Sequence, residues 1–328
     1  MHRFLRILAW TVAALAVFVA AVLAANSSAF APAATDRPLI IAHRGLGQTF
    51  WREGLTGETC TASRIYPPEH PYLENTIASF AAAFAAGAEM VEFDVHPTTD
   101  GHFVVFHDWT LDCRTDGTGV TRDHALADLR ALDIGYGYTA DGGQSFPFRG
   151  KGVGLMPTLA EVLDAFPDKR LLINVKSDDT EEGRLLARTL SALPPDRRAL
   201  IAIYGGGAAI GAFSAALPDV TVLGADTARQ CLVAYELVGW LGIVPESCRG
   251  TLFMIPANFA PFLWGFPDRL SARLSSHGSR LVMLGAYDGT GFSSGVDSVG
   301  ELSAVPPRLN GYLWTNRVDL IGPVIAAR

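Results

Sequence analysis

Two histidines end apolar stretches of the sequence. His43 closes the stretch at positions 38–43, and His107 closes the stretch at positions 103–107. A pair of imidazoles in one site suits general acid–base catalysis, because one ring removes a proton from the nucleophile while the other gives a proton to the leaving group. We therefore take His43 and His107 as the candidate catalytic residues.

Two acids alternate with apolar residues in the stretch at positions 89–96. Glu92 and Asp94 are two residues apart, so on a β-strand their side chains point to the same face. Carboxylates side by side in an apolar pocket repel each other unless a cation lies between them. Carboxylate oxygens are the ligands that Mg²⁺ and Ca²⁺ prefer. The pattern predicts that Glu92 and Asp94 hold one divalent cation, Mg²⁺ or Ca²⁺.

A lysine ends another apolar stretch, at positions 170–176. Asn174 and Lys176 share one face of this predicted strand, so the ammonium group is directed to the strand's end. A buried lysine requires a compensating anion, and a phosphate group supplies one. This stretch therefore predicts a substrate that carries phosphate.

Short apolar stretches alternate with Ala- and Leu-rich amphipathic segments along the chain. Such a pattern is typical of a parallel sheet that helices cover on both faces, the α/β class. It predicts a (β/α)8 TIM barrel, with a doubly wound open sheet as the alternative. The open sheet is disfavoured because no glycine-rich phosphate loop follows the first strand. The predicted strands are 38–43, 89–96, 103–107, 170–176, 200–204, 220–224, 251–255, 280–285 and 311–315.

The second and third predicted strands are joined without a helix. Asp100 and Gly101 lie between them, and Asp-Gly is a signal for a two-residue hairpin turn. A turn at these two positions would pair Asp94 directly with His107 and place both side chains on one face. The sequence thus predicts a β-hairpin that extends strand two and brings His107 to the acids.

The first 36 residues predict export. Arg3 and Arg6 precede an apolar run over residues 7–25, which has the charge pattern of a signal peptide and enough length to span a bilayer. A cleaved peptide and a retained membrane tether both remain open. Either one places a single domain, residues 37–328, in the periplasm or outside the cell, free or anchored to the inner membrane.

The net charge of −7 leaves no basic stripe for a nucleic-acid partner, and the sequence indicates no protein partner. The four cysteines agree with an oxidising compartment. Cys60 with Cys113, and Cys231 with Cys248, are the neighbouring pairs, which favours these two disulfides among three connectivities. Four unpaired buried thiols are the alternative.

Several motifs follow one another in a characteristic order: His43-Arg44-Gly45, Glu74-Asn75-Thr76, Glu92-Phe93-Asp94 and His107-Asp108. This series resembles the signature of glycerophosphodiester phosphodiesterases, and the resemblance covers residues 39–176 closely. It implies a TIM barrel of the phosphatidylinositol-phospholipase-C-like superfamily. It also implies metal-dependent hydrolysis of a small-molecule glycerophosphodiester to glycerol 3-phosphate and an alcohol.

The resemblance also implies roles for individual residues. His43 and His107 correspond to the acid–base pair, Glu92 and Asp94 to the cation ligands, and Arg44 and Lys176 to the phosphate ligands. Further positions are expected to support the site: Glu74, Asn75, Asp108 and, at the end of the last strand beside the glycerol pocket, Trp314. Asn75 is in addition expected to cap the helix that follows it.

Two features depart from the family pattern. Many members have a third metal-binding glutamate where this chain has Asn174, so we expect a weaker cation site to which the amide oxygen contributes. The segment 46–73 is longer than usual, and a disulfide from Cys60 to Cys113 would hold it beside His107.

Two other functions remain open from the sequence. One is a lipid phosphodiesterase of the same superfamily, similar to sphingomyelinase D, with the segment 46–73 and the aromatic segment 259–266 facing a bilayer. The other is a catalytically idle barrel that binds phosphodiesters, with Asn174 as the sign of a degraded metal site. The two histidines argue against the second, because a binding protein does not need an acid–base pair.

Overall fold

The computed structural model describes residues 2–31, 37–56, 59–289 and 294–328. Its β-strands are β1 (Leu39–His43), β2 (Met90–Pro97), β3 (Phe103–Val105), β4 (Arg170–Val175), β5 (Ile201–Gly205), β6 (Thr221–Gly224), β7 (Leu252–Pro256), β8 (Arg280–Leu284) and β9 (Gly311–Thr315). Its helices are α1 (His2–Asn26), α2 (Ile77–Ala85), α3 (Leu126–Ala131), α4 (Leu159–Ala165), α5 (Thr180–Ser191), α6 (Pro195–Arg198), α7 (Gly207–Ala216), α8 (Ala225–Val238), α9 (Asp268–Ser276), α10 (Val299–Leu302) and α11 (Val318–Ala326).

Eight of these strands form a nearly closed parallel barrel. They neighbour one another in the order β6, β5, β4, β2, β1, β9, β8, β7. Within the described part of the chain, no hydrogen-bonded ladder joins β6 to β7, although the Thr251 hydroxyl donates to the Val222 carbonyl across this seam. The predicted (β/α)8 TIM barrel is confirmed.

The barrel strands are buried on both faces. Inside the barrel, side chains from successive strands form one apolar cluster that includes Ile41, Leu172, Val282 and Trp314. Side chains at alternate positions face outward, where the helices cover them and form the larger core. This double burial explains the continuous apolar runs in the sequence, because neither face of a barrel strand meets water.

The hairpin between β2 and β3 is present, but its predicted register is wrong by one residue. Val95 pairs with Val105, so Asp94 is not directly opposite His107. The turn holds three residues instead of two, because the Thr98 N–H donates to the carbonyl of His102, 2.8 Å away. A three-residue turn that ends on a left-handed glycine is the next most common hairpin connection after the two-residue turns.

A second, smaller core lies beside the barrel mouth. Residues of the long segment 46–73, among them Ala62 and Ile65, pack against Phe106, Tyr138 and Met156. The disulfide between Cys60 and Cys113 joins the two parts, with 5.4 Å between its Cα atoms. The other disulfide joins Cys231 of α8 to Cys248. Both bonds match the pairing favoured from the sequence.

Helix α1 extends from the domain with its apolar side chains exposed. Among the described helices, it is the one long and apolar enough to cross a membrane, with a mean hydropathy of 2.6. Its last residue, Asn26, is built into the domain: its amide donates to the Trp240 carbonyl, 2.8 Å away, and accepts from Arg273, 2.9 Å away. The end of α1 therefore packs against the outside of the barrel, at the turn that follows α8 and at α9.

Candidate active site

The carboxyl ends of the first barrel strands bring the predicted site residues together. The parallel register places His43 of β1 beside Glu92 of β2, and Asp94 of β2 beside Asn174 of β4. Lys176 follows the end of β4 by one residue. Because the carboxyl ends of parallel strands meet on one face of a barrel, these five residues lie at its mouth.

Two residues at this mouth have left-handed backbones. The angle φ is 57° at Arg44 and 59° at Asn75, a region that costs about 1–3 kcal/mol for a residue with a side chain. The Asn75 N–H donates to the carbonyl of Arg44, 3.0 Å away, and this bond holds the two turns together. Gly45 comes so close to Ser79 that a Cβ would lie 2.6 Å from its hydroxyl.

The residue that caps α2 is Thr76, so the predicted capping role of Asn75 is wrong. The Thr76 hydroxyl accepts from the backbone N–H of Ser79, and the Ser79 hydroxyl accepts from the Thr76 N–H. Asn75 instead directs its side chain at Asp94: its amide nitrogen donates to the carboxylate over 3.1 Å, and its oxygen accepts the Asp94 N–H. A left-handed backbone at Asn75 makes this contact available.

The His43 ring is held on both of its nitrogens. Its Nδ1 lies 2.6 Å from the amide oxygen of Asn316, and its Nε2 accepts from the Nε of Arg44, 3.1 Å away. Since an amide oxygen only accepts, Nδ1 carries the proton and Nε2 keeps its lone pair. Burial, together with the charge of Arg44, holds the pKa of His43 well below its ordinary value. Trp314 packs against the ring, with 4.8 Å between the ring centroids.

The His107 ring is held by a carboxylate. Its Nδ1 lies 2.6 Å from Oδ1 of Asp108, and its side chain is 21% exposed. Burial and Arg44 lower the pKa of His107, although the bond to Asp108 opposes this shift. Burial also disfavours the ionised form of Asp108, but Arg114 and His107 outweigh it and lower the pKa of that carboxyl. Asp108 therefore stays charged and partly offsets the lowering of the His107 pKa.

The paired acids Glu92 and Asp94 are both buried but differ in charge. Burial and the neighbouring Asp94 raise the pKa of Glu92 to about 8. One Glu92 oxygen accepts from the Tyr204 hydroxyl over 2.6 Å, and the other from the backbone N–H of Arg44 over 3.2 Å. Burial disfavours the charged form of Asp94, but Lys176, His107 and Arg44 together outweigh burial and hold the pKa of Asp94 well below the ordinary value, so it remains ionised.

Both oxygens of Asp94 have several partners. Oδ1 accepts from the amide nitrogen of Asn174 at 2.9 Å and lies 3.4 Å from the ammonium of Lys176. Oδ2 lies 3.1 Å from the amide nitrogen of Asn75 and 3.3 Å from Nε of Arg44. Asp94 thus holds the two predicted phosphate ligands, Arg44 and Lys176, at the same point of the mouth.

Two residues of the site, Glu92 and Asp94, have oxygens suited to a divalent cation. Glu92 and Asp94 offer adjacent carboxylate oxygens, and the raised pKa of Glu92 shows that a positive charge beside it would stabilise its ionised form. Asn174 presents its amide nitrogen to Asp94, so its oxygen is directed elsewhere. Among the described residues, no cluster of three or more His, Cys, Asp or Glu side chains is arranged around one point.

Glu74 lies behind Arg44. Its Oε1 accepts from Nη1 of Arg44 over 2.9 Å, and its Oε2 lies 3.3 Å from Nη1 of Arg114. Burial raises the pKa of Glu74, but the two arginines outweigh burial and lower it below the ordinary value. The carboxylate therefore stays charged and orients the Arg44 guanidinium.

A cavity of about 410 Å³ opens beside Lys176 and Tyr204. Its far wall is apolar and consists of Leu223, Ala225, Ala228 and Met254. Trp314 does not line this cavity. It is 2% exposed and packs on His43. Its buried indole N–H has no hydrogen-bond partner among the described residues.

Comparison with known families finds a similarity over part of the chain. Residues 43–188 match the model of the glycerophosphoryl diester phosphodiesterase family, and they hold His43, Glu92, Asp94, His107 and Lys176. This part of the chain is therefore similar to that family.

Curated glycerophosphodiester phosphodiesterases are similar to part of the chain. A glycerophosphodiester phosphodiesterase of Bacillus subtilis is 37% identical over 152 residues, 45% of this chain and 43% of the relative. One from Caldanaerobacter subterraneus is 41% identical over 103 residues, 31% of this chain and 39% of the relative. The chain thus spans about two fifths of the length of these curated relatives.

Solved structures of the family share the whole barrel. The glycerophosphoryl diester phosphodiesterase domain of a Mycobacterium tuberculosis protein superposes with a TM-score of 0.62 at 19% identity, covering 88% of this chain and 99% of that one. A phosphodiesterase of Oleispira antarctica, solved in complex with sn-glycerol-3-phosphate, gives 0.51 at 19% identity, covering 88% and 97%. At this identity the likeness shows the fold.

Four residues of the site were not predicted to act there. Asn316 and Asp297 stand behind His43: the Asn316 amide donates to the Asp297 carboxylate over 2.7 Å. Tyr204 binds Glu92, and Arg114 binds Asp108 over 2.9 Å. Arg114 lies within residues 39–176, which resemble the family, and this is the signal that could have found it. Asn316, Asp297 and Tyr204 lie outside that range and gave no such signal.

Proposed function

We propose that the protein hydrolyses glycerophosphodiesters to glycerol 3-phosphate and an alcohol, with His43 as the general base and His107 as the general acid. The observation that carries this proposal is the difference between the two imidazoles. An amide backs His43 at 2.6 Å, whereas a carboxylate backs His107 at the same distance. The curated relatives, which carry this activity in their names, support the choice of substrate.

The partners of His43 suit a base. With the proton on Nδ1, the lone pair of Nε2 accepts from Arg44 in the free protein. Once Arg44 turns to the bound phosphate, this lone pair accepts a proton from the attacking hydroxyl, which is either water or a hydroxyl of the substrate itself. Because the pKa of His43 lies well below its ordinary value, the ring is neutral at the start of the reaction. It becomes an imidazolium as the new P–O bond forms.

The partners of His107 suit an acid. The charged Asp108 stabilises a proton on the ring, and Nε2 can donate that proton to the alcohol oxygen as its bond to phosphorus breaks. After this step His107 is neutral and His43 is protonated. When a cyclic phosphate forms first, the same two rings exchange roles while water opens it.

Arg44 and Lys176 would bind the diester phosphate. Both now contact Asp94, at 3.3 Å and 3.4 Å, so a phosphate can share the same two cations. Glu92 and Asp94 would hold a Mg²⁺ or Ca²⁺ ion, which would add positive charge beside the phosphate oxygens. Asn174 would be a ligand only with its amide oxygen turned toward the acids.

An assay on the full chain tests this proposal. Glycerophosphocholine is supplied with Mg²⁺ or Ca²⁺, and release of glycerol 3-phosphate is followed with and without a chelator. His43→Ala and His107→Ala should each abolish turnover, while His277→Ala, at an exposed site at the end of α9, should leave it unchanged. Turnover in either active-site variant would reject the acid–base roles, and turnover unaffected by chelator would reject the cation.

A second candidate is a diester carried by a lipid. Phe259 and Phe262 follow the carboxyl end of β7, on the face that holds the site, and are 48% and 78% exposed. Exposed aromatic side chains of this kind insert into the interface of a bilayer. Turnover of vesicle-bound lysophospholipid, without turnover of glycerophosphocholine, would favour this candidate over the first.

We propose that the domain lies in the periplasm or outside the cell. The apolar helix α1 and the two disulfides support export. The buried contacts of Asn26 with Trp240 and Arg273 support retention of that residue in the mature chain. Mass spectrometry of the N-terminus of the protein from cells decides between a tether and a cleaved peptide.

A further inference from the structure

Arg114 is a buried charge to which the acid–base proposal gives no part. It is 3% exposed, although it lies beside the chain segment that carries His107. Its Nε donates to Asp108 over 2.9 Å, and its Nη1 lies 3.3 Å from Glu74. A fully desolvated guanidinium between two carboxylates is a rigid fork, because its donors lie in one plane at fixed angles.

Each of the two carboxylates holds a residue of the proposed mechanism with its other oxygen. Asp108 holds Nδ1 of His107 at 2.6 Å, and Glu74 accepts from Arg44 at 2.9 Å. A continuous series of charged contacts therefore runs from Arg44 through Glu74 and Arg114 to Asp108 and His107. The Arg114 guanidinium joins the Glu74–Arg44 pair to the Asp108–His107 pair.

The position of Arg114 is itself set by the second core. Its remaining donors reach the Tyr138 hydroxyl at 2.6 Å and the Thr61 hydroxyl at 2.7 Å. Thr61 follows Cys60, and Arg114 follows Cys113. The disulfide therefore joins the residues that immediately precede the two partners of this hydrogen bond. The covalent bond thus restricts how far the hydroxyl and the guanidinium can separate.

We propose that Arg114 is the positioning residue that orients His107 and Arg44 together, and that the Cys60–Cys113 disulfide holds Arg114 in place. This inference rests on the proposed hydrolysis of glycerophosphodiesters. Arg114 does not touch the substrate. It acts through Asp108 on proton donation to the leaving alcohol and through Glu74 on the phosphate-binding guanidinium.

The experiment compares two substrates that differ in the leaving group. Glycerophosphocholine releases an alcohol that needs a proton, whereas the p-nitrophenyl ester of glycerol phosphate releases a phenolate that does not. Arg114→Gln should lower kcat for the choline diester about 10- to 100-fold, and should lower it much less for the p-nitrophenyl ester, because only the first depends on a well-placed acid. Arg114→Lys should restore part of the loss.

Two further variants test the inference if Arg114→Gln does not fold. Thr61→Val removes the hydroxyl beside the disulfide and leaves every charge in place. The Cys60→Ser/Cys113→Ser variant removes the covalent bond. Both should show the same dependence on the leaving group, with a smaller loss than Arg114→Gln. The matched control is Cys231→Ala/Cys248→Ala, which removes the disulfide outside the site and should leave the ratio of the two rates unchanged.

The outcomes separate the two proposals. If the wild-type protein hydrolyses neither ester, the proposed function fails and the inference fails with it. If the wild-type protein hydrolyses both, and the Arg114 and Thr61 variants lower both rates equally or lower neither, the inference alone is overturned. A selective loss on the choline diester, partly restored by lysine, supports it.

Discussion

The two histidines of the candidate active site are held by groups of different charge. On one side, the neutral amide of Asn316 holds His43, and the side chain of His43 is 9% exposed. On the other side, the charged carboxylate of Asp108 holds His107, which is 21% exposed. A neutral hydrogen-bond acceptor at Nδ1 does little to stabilise a protonated imidazole, whereas a carboxylate at Nδ1 does stabilise it.

The supports behind these two partners differ as well. Asn316 is held by Asp297, whose pKa is raised because it is buried. Asp108 is held by the permanently charged Arg114. In the proposed mechanism, which ring acts as acid and which as base therefore depends on residues one contact away from the imidazoles.

The largest expected effect comes from removing the rings themselves. His43→Ala and His107→Ala should each lower kcat for glycerophosphocholine by up to about 10⁴-fold. With the p-nitrophenyl ester, His107→Ala should recover most of the rate, and His43→Ala should not. Recovery in the His43 variant instead would reverse the assignment of acid and base.

Changing the backing groups should have a smaller effect. Asp108→Asn keeps the shape but removes the charge, so the rate on the choline diester should fall about 10- to 100-fold, with recovery on the p-nitrophenyl ester. Asn316→Ala should slow both esters to the same extent, because the base serves both. Steady-state kinetics on the two esters, beside the surface variant Asn310→Ala, measures this difference.

The pH profile should show where the proposed base titrates. If His43 is the base, it acts when it is neutral, so activity is present above its pKa and is lost as the pH falls through that pKa. Because burial and Arg44 lower that pKa, the acid limb of kcat/KM should lie well below pH 6.5. An acid limb above pH 6.5 would contradict the neutral backing of His43.

The proposed cation ligands Glu92 and Asp94 lie between the two histidines, and an added negative charge beside them should strengthen cation binding. Asn174→Glu adds a carboxylate beside Asp94, and we expect about tenfold tighter binding of Mg²⁺ or Ca²⁺. Isothermal titration calorimetry of the chelator-treated protein measures the change, with Asn310→Glu as the surface control. Equal affinity in the two variants would exclude Asn174 from the site.

The smallest effect on the chemistry should come from the second disulfide. Cys231→Ala/Cys248→Ala opens a loop with a sequence separation of 17, and such a loop contributes about 3 kcal/mol to the free energy of unfolding. Urea unfolding should show this loss, while kcat should remain at the wild-type value. A fall in kcat would mean that α8 also positions the site.

The sequence predicted the strands better than the contacts between them. Apolar runs alone located all nine strands, because strands buried on both faces cannot contain many polar residues. The hairpin register was one residue off, since Asp100-Gly101 does not show that Thr99 joins the turn. The order of motifs identified His43, His107, Glu92 and Asp94 as neighbours.

The partners of those residues could not be predicted in the same way. Asn316 lies 273 residues from His43 along the chain, so only the closure of the barrel brings them together. Arg114 is one of many charged residues, and nothing in its local sequence shows that it is buried between two acids. Asn75 was assigned to the helix terminus, because a left-handed backbone is not visible in residue type.

The barrel has fewer interstrand hydrogen bonds at the seam between β6 and β7 than elsewhere among its described strands. Among the described strands, the facing edges of β6 and β7 lack a backbone ladder, so hydrogen exchange of their amides is expected to be faster than along the other barrel strands. The same strands carry Leu223 and Met254, which line the cavity beside Lys176. Local opening of the seam would therefore widen this cavity and admit bulkier alcohol groups, while the catalytic side of the barrel keeps its register.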